Sequence, residues 1–526
     1  MVEEPFHNEP AADFSRAADR ERMSAALADV RASLGQTFPL YIDGRDEPGQ
    51  ATMAASVDPA RPARLVGSAC QATGADLDAA VAAAGAAFCT WREVAPAERA
   101  GYLRRAASAL RARLWEATAL LVYEVGKQWD QASHDVTEAI DFLEYYAAQM
   151  VRLGVPADLP SGPGEPETNR LLWEPRGVAA VIAPWNFPLA ISCGMASAAM
   201  VTGNTVVYKP SSLSPVSGNL LEDIIREAGL PPGVLNYVPC SGEGLGDRLV
   251  DNAGVALVAF TGSRDVGLRI NQRAAVPQPG QRHIKKVITE LGGKNAVIVD
   301  EGADLEDAVA RIVRAAFTFQ GQKCSACSRV IALGSVYDDL LAGLVEAAAK
   351  LRMGPPESLD NQVGPVIDAV ARDRLMSYID SPELAGRIAY RSELPGAAAA
   401  AGGYYVPVTI VADVTPADRV AQDELFGPVL SVMRARDFDH ALDLAASTPY
   451  ALTGGVFSPS AERLELAVRR FRVGNLYLNR AITGAVVGRQ PFGGFGLSGG
   501  GTKAGGPDYL PHFMNPRVVT ERRLEG

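Results

Sequence analysis

The chain is poor in cysteine, in histidine, in surplus positive charge and in long apolar runs, and each scarcity removes a class of function. Six cysteines are spread over 526 residues. That is too sparse for a disulfide scaffold, and it suits a reducing compartment. Cys324 and Cys327 form a lone CxxC, and with no second pair and only five histidines no metal site is expected. A thioredoxin-like pair would stand after an early strand of a small domain, not deep in a long chain. Lys and Arg total 50 against 61 Asp and Glu, a net charge of -11. Nucleic acid therefore meets no basic field. The most apolar stretch, Phe187 to Gly203, is broken by Pro188, two serines and a threonine. It reads as a buried helix, so no membrane association is expected. MVEEPFHNEP at the start is acidic and lacks an apolar segment. No signal or transit peptide is expected, and the cytoplasm is the default.

What is present describes a globular α/β protein. Apolar residues make up 48% and charged residues 21%, and the length implies more than one domain. Residues 1–36 read as a polar, helix-rich lead-in. FPLYIDGR (Phe38 to Arg45) alternates into Asp43-Gly44, a hairpin signal. Thr73 with Asp76 three residues on is a capping box, and from there to Tyr146 the pattern is helical. Residues 154–168 are a Pro- and Gly-rich break. Short apolar runs then alternate with helical segments: Gly177 to Ile182, Thr205 to Tyr208, Val234 to Val238, Ala256 to Phe260, Lys286 to Ile288 and Ala296 to Val299, with Val216 to Ala228 amphipathic. Such alternation predicts a parallel, doubly wound sheet. A second α/β series follows Asp300. PGAAAAAGG (Pro395 to Gly403) reads as a surface loop, and residues 484–506 are dense in glycine.

Several short motifs carry side chains suited to chemistry. GQKCSACSR (Gly321 to Arg329) sets Cys324 among small residues that leave its sulfur accessible, with Lys323 beside it to favour the thiolate. Taken alone, Cys324 reads more readily as a buried structural thiol. ELGGKN (Glu290 to Asn295) offers a carboxylate next to two glycines, a general base or simply a cap. APWNFP (Ala183 to Pro188) holds Asn186 between prolines, as an oxyanion donor or a turn residue. FTGSRDVG (Phe260 to Gly267) spaces Gly262 and Gly267 at the start of a helix, where backbone amides can face a pyrophosphate. Lys209 in KPSS and Glu424 in ELFGP are further candidates for cofactor contacts, or surface charges.

In this order and spacing the motifs resemble the aldehyde dehydrogenase superfamily over nearly the whole chain. The separations of 34 residues from Glu290 to Cys324 and 23 from Asn186 to Lys209 match its pattern. The resemblance implies an aldehyde dehydrogenase-like α/β fold: a Rossmann-like NAD(P)-binding domain (1–152 and 173–291), a catalytic α/β domain (292–485), and a small β oligomerisation element (153–172 and 486–526). It makes Cys324 the nucleophile, Glu290 the base and Asn186 the oxyanion donor. Ile182, Pro184, Trp185, Lys209, Ser212, Gly262, Ser263, Gly267, Glu424 and Phe426 become the NAD+ contacts. Many relatives carry an acid where Ser212 stands; the serine predicts that NAD+ is preferred and NADP+ tolerated.

Within the superfamily the chain is most similar to the bacterial monofunctional L-glutamate γ-semialdehyde (1-pyrroline-5-carboxylate) dehydrogenases. Lys323-Cys324-Ser325, the stretch Asn479 to Leu510, PFHNEP and DVTEAIDFLEYYA (Asp135 to Ala147) carry that likeness. It implies a substrate pocket of Glu138, Phe187, Lys323, Ser325, Gly484, Ala485 and Phe492, where backbone amides of a glycine-rich loop receive a carboxylate. A homo-oligomer, either a dimer or an assembly of dimers, is expected, with proline dehydrogenase as a transient partner. The alternatives are a dehydrogenase of another semialdehyde such as succinate semialdehyde, a thiol hydrolase, and a non-catalytic NAD-binding protein on the same fold.

Overall fold

The structure, a computed structural model, describes residues 6–49, 53–162 and 167–522. Pro5 of the PFHNEP motif and residues 163–166 of the Pro- and Gly-rich break lie outside them. Alternating strands and helices build two sheets of seven strands each. The first runs in the order Lys286–Glu290, Val255–Thr261, Val178–Ile182, Thr205–Lys209, Leu235–Tyr237, Leu40–Ile42, Arg45–Glu47. Its first five strands are parallel, and the last two add an antiparallel edge. Val178–Ile182 and Thr205–Lys209 are buried at every position. Helices therefore cover both faces, which is why these strands read as continuous apolar runs. The edge hairpin turns on Asp43 and Gly44, both left-handed at φ +52° and +78°, as a two-residue turn requires.

Thr73 and Asp76 form the expected reciprocal capping box at the start of the helix Gly74–Trp91. Three more helices follow: Pro96–Ala112, Leu114–Val125 and Trp129–Leu153. The last packs against Ala190–Val201, the mostly buried helix of the 187–203 stretch. Two strands run further than their apolar residues suggest. Thr205–Lys209 includes Lys209, paired with Ile182, and Lys286–Glu290 includes Glu290, paired with Thr261. Ladder hydrogen bonds to a neighbouring strand override the polarity of the last side chain.

The second sheet has the order Ile388–Arg391, Thr409–Val411, Val429–Ala435, Arg329–Leu333, Ala296–Val299, Thr453–Phe457, Asn475–Leu478. Every neighbouring pair except the first is parallel. Only residues 291–295 join the carboxyl end of the first sheet, at Glu290, to the amino end of the second, at Ala296. The two sheets thus face each other end to end across ELGGKN. A third sheet adds the tail strand Met514–Arg522 along Glu167–Pro175, with Ala157–Leu159 on the other side. The expectation of a loop at Pro395 to Gly403 is corrected: Gly396–Ala400 is a short helix, because alanine favours helix even when exposed.

Candidate active site

In the first sheet Val178–Ile182 lies between Thr205–Lys209 and Val255–Thr261, so the strand order reverses there. Ligands bind off the carboxyl ends of strands at such a switch point. Four candidate groups stand at those ends. Ile182 leads into Pro184, Trp185, Asn186 and Phe187. Lys209 and Glu290 close their own strands, and Thr261 leads into Gly262, Ser263 and the helix Arg264–Ala274.

Cys324 comes from the other side, between the helix Leu305–Phe317 and the strand Arg329–Leu333. Phe319, Gln320 and Gly321 just before it are all left-handed, at φ +51°, +56° and +68°. Glycine adopts this freely; the other two each cost about 1 kcal/mol. A Cβ at Gly321 would lie 2.4 Å from the Gly427 carbonyl oxygen. The turn brings the two sides together: buried Asn186 donates from Nδ2 to the Gln322 carbonyl at 3.0 Å. Asn295 donates to the carbonyls of Cys324 (2.7 Å) and Ala326 (2.9 Å) and accepts from Thr453 N–H. This clamp on Cys324 was not among the expected site residues, although Asn295 closes the ELGGKN motif. The Cys324 N–H donates to nothing among the described residues.

The charges around Cys324 differ from expectation. Burial, then the carboxylates of Glu424 and Glu290, push its thiol up to about 12, opposed by the Ser325 N–H. Lys323 was expected to favour the thiolate; it donates instead to Gln131 and Thr318. Burial and the nearby Lys127 cation hold its ammonium down at about 7, so it is a weak electrostatic partner for the sulfur. Glu290 accepts from Thr502 Oγ1 at 3.0 Å and Gly494 N–H at 3.3 Å, yet burial pushes its carboxyl up to about 8. The glycines of ELGGKN make room for a second carboxylate. A Cβ at Gly292 would lie 1.8 Å from Glu424 Oε2, and Gly293 N–H donates to Glu424 Oε1 at 2.9 Å.

The cofactor candidates converge in part. Ser263 and Glu424 line one open cleft of about 350 Å³. Glu424, Phe426 and Lys323 line a small cavity of about 20 Å³. Phe426, left-handed at φ +54°, packs edge-on to Trp185 at 5.5 Å between ring centres. Gly267 seats its helix on the sheet, since a Cβ there would lie 2.2 Å from Leu291. Buried Lys209 donates only to Pro210 O, at 3.2 Å, among the described residues. Ser212 is exposed.

On the substrate side, Phe187 contacts Phe319 edge-on at 6.2 Å. Burial and Asp135 push the Glu138 carboxyl up to about 8. Ser325 is half-buried, and Phe492 exchanges backbone hydrogen bonds with Ala504. Gly484, left-handed at φ +77°, and Ala485 lie on the loop beyond Leu478, and neither is hydrogen-bonded to Cys324 or Ser325.

Residues 47–519 match the model of the aldehyde dehydrogenase family. The chain belongs to that family. It is 47% identical over 520 residues to the 1-pyrroline-5-carboxylate dehydrogenase of Geobacillus thermodenitrificans, covering 98% of this chain and 99% of that one. A solved Thermus 1-pyrroline-5-carboxylate dehydrogenase with bound NAD superposes with a TM-score of 0.96 at 44% identity, covering 99% of this chain and all of the other. Proline utilization A from Bdellovibrio bacteriovorus also matches at TM-score 0.96 and 45% identity; this chain spans 54% of its length.

The residues fit the family's NAD(P)+ cofactor. Ser263 precedes the helix in extended backbone with no side-chain cap, leaving first-turn amides for a pyrophosphate. Buried Lys209 and half-buried Glu424 each retain unused hydrogen-bonding capacity suited to ribose hydroxyls. No helix among the described residues is long and apolar enough to cross a membrane.

Proposed function

We propose that the chain oxidises L-glutamate γ-semialdehyde, the open form of 1-pyrroline-5-carboxylate, to L-glutamate with NAD+. The observation that carries the chemistry is the junction of the two sheets, where Asn186 is tied to the Cys324 turn through Gln322 and Asn295 clamps the Cys324 carbonyl. Near-complete alignment with a curated 1-pyrroline-5-carboxylate dehydrogenase supports the choice of aldehyde.

The thiol of Cys324 gives up its proton to water, with the Ser325 N–H favouring the thiolate, and the sulfur attacks the aldehyde carbon. The free Cys324 N–H and the second N–H of the Asn186 amide receive the oxyanion, each donor contributing about 3 kcal/mol. When bound, NAD+ accepts the hydride from that carbon. Cys324 then carries a thioester. Glu290, deprotonated, takes a proton from water, whose oxygen displaces the sulfur and releases glutamate. Lys209, Ser263, Glu424 and Phe426 would hold the cofactor. Phe187 and Phe492 flank the methylene chain, Glu138 and Lys323 line the pocket, and Ser325 with the Gly484 and Ala485 amides receives the α-carboxylate.

The three-stranded sheet of the tail is the oligomerisation element in this reading. Its strand Met514–Arg522 is exposed along most of its length, Val518 included. The likeness to half of a proline utilization A chain supports a proline-oxidising enzyme as the source of substrate. With serine at position 212, kcat/KM for NAD+ exceeds that for NADP+ several-fold; a strong NADP+ preference counts against the cofactor assignment.

The test is NAD+-dependent formation of glutamate from 1-pyrroline-5-carboxylate beside a panel of semialdehydes. Glutamate semialdehyde turns over with the highest kcat/KM. Preference for succinate semialdehyde overturns the substrate assignment, and no oxidation of any aldehyde overturns the activity.

A further inference from the structure

Gly126, Lys127 and Gln128 belong to none of the candidate groups, yet they touch both halves of the site. They join the helix Leu114–Val125 to Trp129–Leu153. Gly126 ends the first helix in the left-handed region, at φ +71°, and Lys127 and Gln128 are both buried.

Lys127 reaches the loop that carries Asn186. Its ammonium donates to Asp135 at 2.6 Å, and neither side chain is exposed. It also lies 3.7 Å from the ring centre of Phe187, the residue after Asn186. The other Asp135 oxygen accepts the Ala190 N–H at 2.7 Å. One ion pair thus holds the segment Phe187 to Ala190 at both ends, by an aromatic face and by a backbone N–H. Apolar side chains of the same volume would often stabilise the interior as well as such a pair. They would not fix a ring and a backbone group in direction.

Gln128 reaches the turn that carries Cys324. Its Oε1 accepts the Phe319 N–H at 3.1 Å and its Nε2 donates to Gln320 Oε1 at 2.9 Å. Gln320 Nε2 donates back to the Gly126 carbonyl at 3.2 Å. Phe319 and Gln320 are the two strained left-handed residues ahead of the nucleophile. The amide of Gln128 therefore bonds the backbone where it most needs external support.

We propose that Gly126 to Gln128 is the element that sets the Asn186 amide in register with Cys324, with Lys127 and Gln128 as positioning residues. This rests on the reading of Cys324 as nucleophile and Asn186 as oxyanion donor. Lys127 also lies 4.9 Å from the ring centre of Phe319, but its ion pair, its nearer aromatic contact and the Ala190 bond all serve the Asn186 segment, so losing its grip acts mainly through Asn186.

The test is a double-mutant cycle in the full-length protein. Lys127→Met combined with Asp135→Asn removes both charges together and keeps an acceptor for Ala190. In this variant kcat for aldehyde oxidation falls about 30-fold, part of the loss expected for a missing oxyanion donor. Adding Asn186→Ala lowers kcat no further than Asn186→Ala alone. Alkylation of Cys324 by iodoacetamide, followed at that residue by peptide mass, and KM for NAD+ both change less than about threefold, since neither uses the oxyanion donor. Lys127→Arg keeps the cation and brings kcat back to within about fivefold of the parent protein. If the charge-free variant does not fold, Lys127→Arg carries the same cycle: its smaller loss vanishes in the Asn186→Ala background. Losses that multiply with those of Asn186→Ala, or full kcat in the variants, overturn the inference. A parent protein that oxidises no aldehyde overturns instead the functional reading beneath it.

Discussion

The two seven-stranded sheets meet at one site but furnish it in different ways. The first presents Asn186, Lys209, Ser263 and Glu290 at or just beyond the carboxyl ends of its strands, where a doubly wound sheet leaves room for ligands. The second presents Cys324 at the amino end of the strand Arg329–Leu333, where no such general rule operates. There Cys324 depends on a turn of three left-handed residues, closed against Gly427 and clamped by Asn295. One half of the site follows from the architecture of its sheet. The other half is a local construction with its own stored strain and its own supports.

That contrast is sharpest at Cys324, the proposed nucleophile. Cys324→Ala keeps the turn but removes the sulfur, and steady-state NADH formation falls at least about 10⁴-fold. Retained activity would put the chemistry elsewhere on the sheet edge. Asn186→Ala tests the architectural half. It removes one donor, so kcat falls about 10²- to 10³-fold while KM for the cofactor stays close to the parent value. An equal loss in cofactor affinity would mean that Asn186 serves the fold of the loop rather than the oxyanion.

The pH profile compares the two carboxylates of the junction. Both are raised by burial, Glu290 to about 8 and Glu424 to about 7. A raised carboxyl stays protonated, and useless as a base, until the pH passes its pKa. Where deacylation limits turnover, kcat therefore rises about tenfold per pH unit and levels off above about pH 8. A profile flat between pH 6 and 9 would remove Glu290 from the rate-limiting step.

Much of the first sheet was legible in the sequence because its signals are local. β-branched runs, the capping box at Thr73 and the turn at Asp43-Gly44 each need only their neighbours. What failed to show was non-local. Lys209 and Glu290 are strand residues because neighbouring strands pair with them. The glycines of ELGGKN suggested close approach in general; only the fold shows that Glu424, more than a hundred residues on, is what approaches. Lys323 looked like an activator because it adjoins Cys324 in sequence, yet its ammonium turns to Gln131. Adjacency along the chain gives no side-chain direction. Nor did the sequence mark Lys127 or Gln128, whose partners are scattered across three segments.

The central claim is a covalent cycle in which Cys324 carries the acyl group and Glu290 releases it. Glu290→Gln separates the two steps directly. Mixing this variant with NAD+ and 1-pyrroline-5-carboxylate in a stopped-flow instrument yields a burst of about one NADH per site, followed by a steady rate reduced at least about 100-fold. Digestion of the stalled protein locates a glutamyl thioester on Cys324. Parent-like turnover without a burst, or acyl mass on any other residue, would contradict the account.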